Sequence, residues 1–576
     1  MKRKVCKYVK AVEKKSGMWI KLFPIIFILG VMPLIVHLKF VNTGLETATW
    51  FPKQSQIADF FSWWRVKAFC VASVWMVIVL IYRLVVQKRC LKFEKNWVFL
   101  GGYLFLVLIS TLFSKYKNVS WNGMIENYEG CITLLLYGFS FFYTAQVVEN
   151  NREKEILLIA LAVGAMLQAM LGISQFIGKD FWSSSWGKRL LAPDQALAFR
   201  FAGSSENPVY MALYNPDYAA VFIIIMFPVC VYLLSQERKK WRQFLWKMEI
   251  LLLLFCLWGT GSRTGMVTLI ILCGFKFIIK YVHGRSKEII ITVLVIVTGM
   301  GVWEIHKKTE NVSYRLHEIQ IEEEGIEVTT SVGKYVANAK KYGGNRSLLF
   351  VKDENGEKLS LKKEKSGRYT IKDKHLRKFS FDTYVKNGDI FLIIYYKKEP
   401  FIFVKKDDQE FIYKNIFGKE DTIEKTTTII STRYDQLFGA RVYIWNRIFP
   451  LLSNYIFMGS GPDTFAMVFP QNDYIGRVNA AKVMYEQIIT RAHNLYLQIA
   501  LQTGFISLLC FLIFIGGCLN LNLKRKEKMC ETIAFCIMGY LIMGLTNDSL
   551  IVTAPIFWVL LGINSETGKN VKRQLQ

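Results

Sequence analysis

The chain has 576 residues, is 52% hydrophobic and has a mean hydropathy of +0.25. Its apolar runs recur at about 17–25 residues, the length that crosses a bilayer, which excludes an ordinary soluble enzyme. The net charge of +28 does not argue for nucleic acid. Lys and Arg crowd between apolar runs, as the positive-inside rule expects, so anionic lipid headgroups are the natural partner.

The elements follow from this pattern in chain order. The segment from Met1 to Lys21 is rich in Lys and Arg, and Leu22 to Val36 follows as an apolar run. Val-His-Leu-Lys-Phe after that run is a poor cleavage site, so it reads as an uncleaved first span with the N-terminus in the cytoplasm. Further spans are expected near 68–87, 97–113, 131–147, 155–177, 218–235, 247–260, 265–280 and 288–303. A tenth begins at His493 or Asn494 and ends before Lys524, and the last two lie near 531–546 and 550–563. The fold class is an all-α polytopic membrane protein of about 12 transmembrane helices with both ends cytoplasmic.

Between the ninth and tenth spans the composition changes sharply. Residues 304–491 form one large extracytoplasmic loop on this reading, after spans 1–9 in 1–303 and before 492–576 with the last three spans and the tail. Arg346 to Val351, Asp353-Glu-Asn-Gly356 and Lys358 to Leu361 read as strand, turn and strand. Phe391 to Tyr395, Phe401 to Val404 and Phe411 to Tyr413 add more, which predicts a small β-rich insert near 325–425. Tyr443 to Phe457 reads as an amphipathic helix within a further loop segment near 431–491.

Three pieces put a cationic or proton-transferring side chain beside an apolar segment, all on the outer side of this topology. They are Gly261-Ser-Arg263-Thr-Gly265, Arg441-Val-Tyr-Ile-Trp445 running on to Gly459-Ser-Gly461, and His493-Asn494-Leu-Tyr-Leu. An arginine at the centre of a bilayer costs roughly 2.5–3.5 kcal/mol on insertion scales, so Arg263 belongs at an interface or in a wet cavity. Histidine titrates near neutrality, and His493 is one of only six.

These pieces resemble the O-antigen ligase and O-antigen polymerase superfamily, membrane glycosyltransferases that use undecaprenyl-pyrophosphate-linked glycans. The likeness rests on Thr260 to Gly265, on Arg441-x3-Trp445 with Gly459-Ser-Gly461-Pro-Asp-Thr-Phe465, and on His493-Asn494-Leu-Tyr496-Leu before Thr503-Gly504. Trp121-Asn-Gly123, Tyr128-Glu129-Gly130 and Tyr214-Asn-Pro-Asp217-Tyr218 also fit. It covers roughly 95–305 and 430–565 and leaves out the β-rich insert. The first-loop motif lacks an arginine that many relatives carry before it.

The resemblance implies glycan transfer from a polyprenyl pyrophosphate to an acceptor hydroxyl on a glycan, lipid or protein. Arg263 and Arg441 would then hold the pyrophosphate, since a guanidinium fork stays charged and matches phosphate oxygens. His493 would take the acceptor proton. Arg200, Arg189 and Arg491 are weaker phosphate ligands, Glu129 and Asp217 carboxylates for sugar hydroxyls, and Trp445 a ring for sugar stacking. No metal site or cofactor is expected, and inversion at the anomeric carbon follows if the stereochemistry is the family's. The competing readings are a lipid-linked glycan transporter, which would carry ionisable residues at mid-membrane, and a non-catalytic membrane receptor.

Overall fold

The computed structural model describes residues 17–192, 209–281, 315–343, 346–372, 376, 378–406, 409–481, 485–525 and 527–565. The expected ninth span, Arg200, both termini and the start of the large loop lie outside them.

Helices dominate. In chain order the longer ones are α1 (Gly17–Leu34), α2 (Trp63–Val85), α3 (Trp97–Phe113), α4 (Cys131–Val147), α5 (Asn151–Phe176), α6 (Pro216–Gln236), α7 (Lys240–Thr260) and α8 (Arg263–Tyr281). They continue with α9 (Leu437–Tyr455), α10 (Leu495–Thr503), α11 (Phe505–Lys524), α12 (Lys528–Met543) and α13 (Ala554–Ile563). Among the described residues six are long and apolar enough to cross a membrane: α1, α2, α5, α6, α7 and α11. The apolar helices α3, α4 and α13 are shorter.

Asparagines set three helix starts. Asn150, Asn215 and Asn494 each accept a backbone N–H of their own first turn, relieving donors that a helix start leaves unmatched. At Asn215 the cap is joined by Pro216 in the first turn. Helix α7 stops at Gly261, whose φ of +65° is the left-handed conformation common just past a helix end. Helices α1 and α5 cross closely: a Cβ on Gly30 would meet the Ala160 carbonyl at 2.9 Å, and one on Gly164 the Gly30 carbonyl at 2.8 Å. Small residues at such crossings let backbones approach without lipid between them.

The bundle has two different ends. At one, Lys21 of α1 pairs with Glu149 (3.2 Å) and Glu153 (2.9 Å), Arg83 of α2 with Glu149 (2.6 Å), and Lys154 of α5 donates to Asn564 beyond α13 (2.6 Å). At the other end gather the starts of α6, α8 and α10 and the turn between α12 and α13.

The tenth span differs from the expectation that it starts at His493. The helix breaks at Gly504 (φ +95°), where a Cβ would meet the Phe457 carbonyl at 2.5 Å. The Phe505 N–H bonds instead to the Ile456 carbonyl. The apolar span is α11, and α10 is a separate short helix tied to the end of α12 through Leu495 N–H to the Gly544 carbonyl.

Residues 316–414 hold two antiparallel sheets. The first has order β3 (Leu316–Glu322), β4 (Gly325–Thr330), β5 (Gly333–Lys341), β6 (Ser347–Asp353). A hairpin of β1 (Lys39–Asn42) and β2 (Gln56–Asp59) precedes them in the chain. The second sheet runs β12-β11-β10-β9-β8-β7, with β7 (Leu361–Lys363), β8 (Tyr369–Ile371), β9 (Phe379–Lys386), β10 (Asp389–Tyr396), β11 (Glu399–Lys405) and β12 (Phe411–Lys414). Alternate residues Ile390, Leu392, Ile394 and Tyr396 of β10 face one core with Ile326, Val328 and Val351, as the two-residue period of a strand dictates. That core also takes in Tyr474, Ile475, Val478 and Tyr485, so the strands and the later loop fold as one unit. The strands begin about nine residues before the expected 325 and end before 425. Lys419 reaches the Ala48 carbonyl (2.7 Å) and Asn415 the Thr49 carbonyl (2.9 Å), fastening the sheets to the loop between β1 and β2.

Candidate active site

His493 stands immediately before α10 with φ +48°, a left-handed conformation that is uncommon for a residue with a Cβ and concentrates at functional sites. The Asn494 side chain caps α10 and also donates to the Leu545 carbonyl at 2.9 Å, so the strained residue is held from its C-terminal side. His493 Nδ1 lies 3.4 Å from Asp548 Oδ2, and Asp548 Oδ1 accepts the Asn494 N–H at 3.1 Å. The aspartate is buried, while the histidine side chain keeps 42% of its surface exposed, so one ring edge is fixed and the other faces solvent. Desolvation by the protein packed around the ring, with Arg441 and Arg491 nearby, outweighs the pull of Asp548 and lowers the imidazole pKa below its ordinary 6.5. That shift favours the neutral ring.

Arg441 follows three consecutive left-handed residues, Phe438, Gly439 and Ala440, which turn the chain sharply and set the guanidinium at the start of the regular part of α9. Its Nη2 donates to Asp217 Oδ2 (2.7 Å) and stands 3.5 Å from Asn547 Oδ1. Asp217, in the first turn of α6, also accepts from Ser262 Oγ at 3.0 Å. Ser262 precedes Arg263, whose side chain opens α8 and is exposed. Thr546 contacts Thr264 at 3.2 Å, which closes the circuit back to Asn547 and Asp548. The three sequence pieces thus meet through Asp217 and the α12–α13 turn.

Arg491 is buried, donating to Asn127 Oδ1 (2.5 Å) and the Tyr218 hydroxyl (2.6 Å) with its guanidinium 5.2 Å from the centre of the Tyr214 ring. Asn127 in turn donates to Asp463, which also accepts the Met124 and Glu129 N–H groups at 2.6 and 3.1 Å. Asp463 (φ +58°) so staples the glycine turn to the first outer loop. Burial raises its carboxyl to about 6 against those hydrogen bonds. Glu129 sits deeper. Its Oε1 accepts from Tyr137 (2.8 Å) and Ser549 (2.7 Å), and burial raises the carboxyl to about 8. It lines a cavity with Gln498, Gln502, Tyr540 and Trp558 beneath α10.

Helix α9 is itself held from behind. Arg447 pairs with Asp435 (2.7 Å) and Asp473 (2.8 Å), all three almost wholly buried, and lies 4.0 Å over the Tyr443 ring. Trp445 donates its indole N–H to the Ala492 carbonyl (3.0 Å), one residue before His493. The expected stacking ring thus also links Arg441 to His493.

Of the residues expected from sequence, His493, Arg441, Asp217, Arg491 and Trp445 form one connected cluster, and Arg263 adjoins it through Ser262 and Thr264. Glu129 joins by Ser549. Arg189 is exposed on the short helix Ser185–Leu191, which packs with Val36, Trp182 and Tyr210. Arg200 is not among the described residues. Asp548, Asn547 and Asn127 escaped the sequence reading. The signal for the first two was present: Asn547-Asp-Ser549 interrupts the apolar stretch 531–563 on the same side as His493. Among the described residues no three side chains of the metal-ligating types converge.

Residues 391–512 match the family model described as O-antigen ligase, about a fifth of the chain. The match begins inside β10, so it takes in the last strands of the second sheet, contrary to the expectation that the likeness leaves the β-rich region out. It spans Arg441, Asp463, Arg491 and His493. No curated protein matches the chain.

Proposed function

With an O-antigen ligase domain in residues 391–512, the chain is a membrane protein of the O-antigen ligase superfamily, and we propose that it transfers a glycan from undecaprenyl pyrophosphate to an acceptor hydroxyl. In this reading about 12 helices span the membrane, both termini are cytoplasmic and the large loop faces outward. The acceptor is another lipid-linked repeat (polymerase) or a different surface glycan, lipid or protein (ligase).

The observation that carries the proposal is a histidine on a left-handed backbone, 3.4 Å from a buried aspartate, in the same connected cluster as Arg441. In this reading the proton sits on Nδ1, 3.4 Å from Asp548 Oδ2, and Nε2 offers its lone pair to the acceptor. The acceptor hydroxyl attacks the anomeric carbon, its proton passes to His493 Nε2, and the bond from that carbon to the pyrophosphate oxygen breaks. Asp548 favours the imidazolium that forms. Arg441 and Arg263 stabilise the charge on the departing pyrophosphate. Arg441 is held by Asp217, so a ligand phosphate would compete with that carboxylate for the same fork. One displacement inverts the anomeric configuration, and the reading requires no metal.

The test is transfer by the reconstituted full chain from a lipid-pyrophosphate oligosaccharide of the source cell, with EDTA present. Product from wild type that is lost in His493→Ala and Arg441→Ala supports the reading, and product length separates polymerase from ligase. Binding of donor without product favours a transporter or a receptor.

A further inference from the structure

Helix α2 opens on Trp63 and Trp64 at the active-site end of the bundle. There Ser62 donates to the Glu126 carbonyl at 2.6 Å, and Phe61 meets the Tyr214 ring edge-on at 5.9 Å. Tryptophans belong at the boundary between hydrocarbon and water, so this turn marks that depth. Two lysines converge on it. The ammonium of Lys39, in β1, lies 5.2 Å from the centre of the Trp63 ring, and that of Lys67, one turn into α2, lies 5.4 Å from it. Both lysines are exposed, and neither is ion-paired with a described residue. Asp59, opposite Lys39 in the hairpin, is buried and already caps α2: its Oδ1 accepts the Ser62 and Trp63 N–H groups at 2.9 and 3.1 Å. A ring contact attracts an ammonium's charge but uses none of its three N–H donors.

From the lysines an apolar lane runs along α2. Val71, Val74 and Ile78 follow Lys67 at the spacing of one helix face, and each is more than half exposed. Beside the lysines the short helix Ser185–Leu191 is fastened to the chain entering β1. The Leu38 N–H bonds to the Leu191 carbonyl at 2.9 Å. The His37 ring lies 3.0 Å from the Leu190 carbonyl and 5.5 Å from the Trp64 ring. That short helix exposes Trp186 and Arg189. A cationic head flanked by tryptophans and an apolar lane thus stand in line, matching the two halves of an amphiphile with an anionic head.

We propose that Lys39, Trp63 and Lys67 bind the headgroup of an anionic phospholipid, whose acyl chain lies along Val71, Val74 and Ile78. The two ammonium groups donate to its phosphate oxygens in charge-assisted hydrogen bonds. Lys67 reaches the boundary on its own apolar stem. Charge complementarity selects an anionic headgroup over a zwitterionic one, and the apolar lane selects a lipid over free phosphate. The lipid seats the hairpin and the short helix at the membrane surface. It also lies close behind the segment leading to Asp217, since Arg65, two residues before Lys67, donates to the Ala212 carbonyl. The inference needs only a chain seated in a bilayer and stands apart from glycan transfer.

The experiment releases the full chain from vesicles of equal phosphatidylglycerol and phosphatidylcholine and counts the lipids it retains by native mass spectrometry. Wild type is expected to retain phosphatidylglycerol in preference to phosphatidylcholine. A lysine near a membrane surface is worth roughly fivefold in anionic-lipid affinity, so Lys39→Gln and Lys67→Gln should each lower retention by about that factor, and the double variant by more. Lys53→Gln removes an exposed charge from the loop of the same hairpin and is expected to change nothing. Equal retention by wild type and the double variant overturns the site, as does a loss in Lys53→Gln as large as in Lys67→Gln. Displacement of the lipid by inorganic phosphate, or preferential retention of undecaprenyl phosphate when it is added to the vesicles, also overturns it.

Discussion

Replacing Asp548 by asparagine keeps the shape of the His493 contact and removes one charge. Two unit charges 3.4 Å apart attract by roughly 5 kcal/mol at an effective dielectric of 20 and about 1.2 kcal/mol in bulk water. The aspartate is buried but the histidine is 42% exposed, so solvent screens the pair and about 1–3 kcal/mol is the appropriate range. In the proposed reaction the charge on His493 exists only once it has taken the acceptor proton, so that energy belongs to the transition state. Asp548→Asn is therefore expected to lower kcat about 10- to 100-fold, since roughly 1.4 kcal/mol is a factor of ten, with KM for the donor little changed. The pH profile gives a second readout. Asp548 raises the histidine pKa, so its loss moves the acid limb of kcat to lower pH while activity remains flat above neutrality. His493→Ala combined with Asp548→Asn should be no worse than His493→Ala alone. A variant within threefold of wild type, or an acid limb that moves upward, would refute the role given to the pair.

Three further outcomes follow from the geometry. Arg447→Met leaves Asp435 and Asp473 buried with no cation between them and is expected to cost about 3–5 kcal/mol, read as a lower urea midpoint by tryptophan fluorescence. Adding Asp435→Asn and Asp473→Asn should recover much of the loss. Gly504→Ala forces a Cβ against the Phe457 carbonyl at a φ that alanine resists, so it should lower the melting temperature of the detergent-solubilised chain and abolish transfer. Asp463 has a folded-state pKa of about 6 against an ordinary 3.8, so its contribution is fully present below about 3.8 and is lost as the pH rises through about 6. In thermal melts across that window the difference between wild type and Asp463→Asn should change; a constant difference would show that the carboxyl does not titrate there.

Much of the helical framework was legible because span length and flanking charge act locally. The break at Gly504 was not: α10 and α11 together read as a continuous apolar run, and only the approach of the Phe457 carbonyl requires the interruption. The cluster members were legible in unequal measure. Arg441 and His493 stand out as rare polar side chains beside apolar runs, whereas Asp548 looks like any polar residue in a short turn until the α12–α13 connection is laid against α10. Glu129 was read as reaching for sugar hydroxyls. Its placement beneath α10, bonded to Tyr137 and Ser549, depends on contacts between residues 420 positions apart, which no local pattern encodes.

The contrast between the two ends of the bundle has a consequence for motion. At one end, ion pairs among α1, α2, α4 and α5 act like the rivet of a pair of pliers, with the ends of five helices fixed within a few ångströms of Glu149, Glu153 and Lys154. At the other, the cluster is assembled from turns and helix starts, whose backbone carries left-handed residues at Tyr214, Phe438, Asp463 and His493. Hydrogen exchange should therefore be slowest around Lys21 and Glu153 and fastest around Asn547, so that the jaws open while the rivet stays shut.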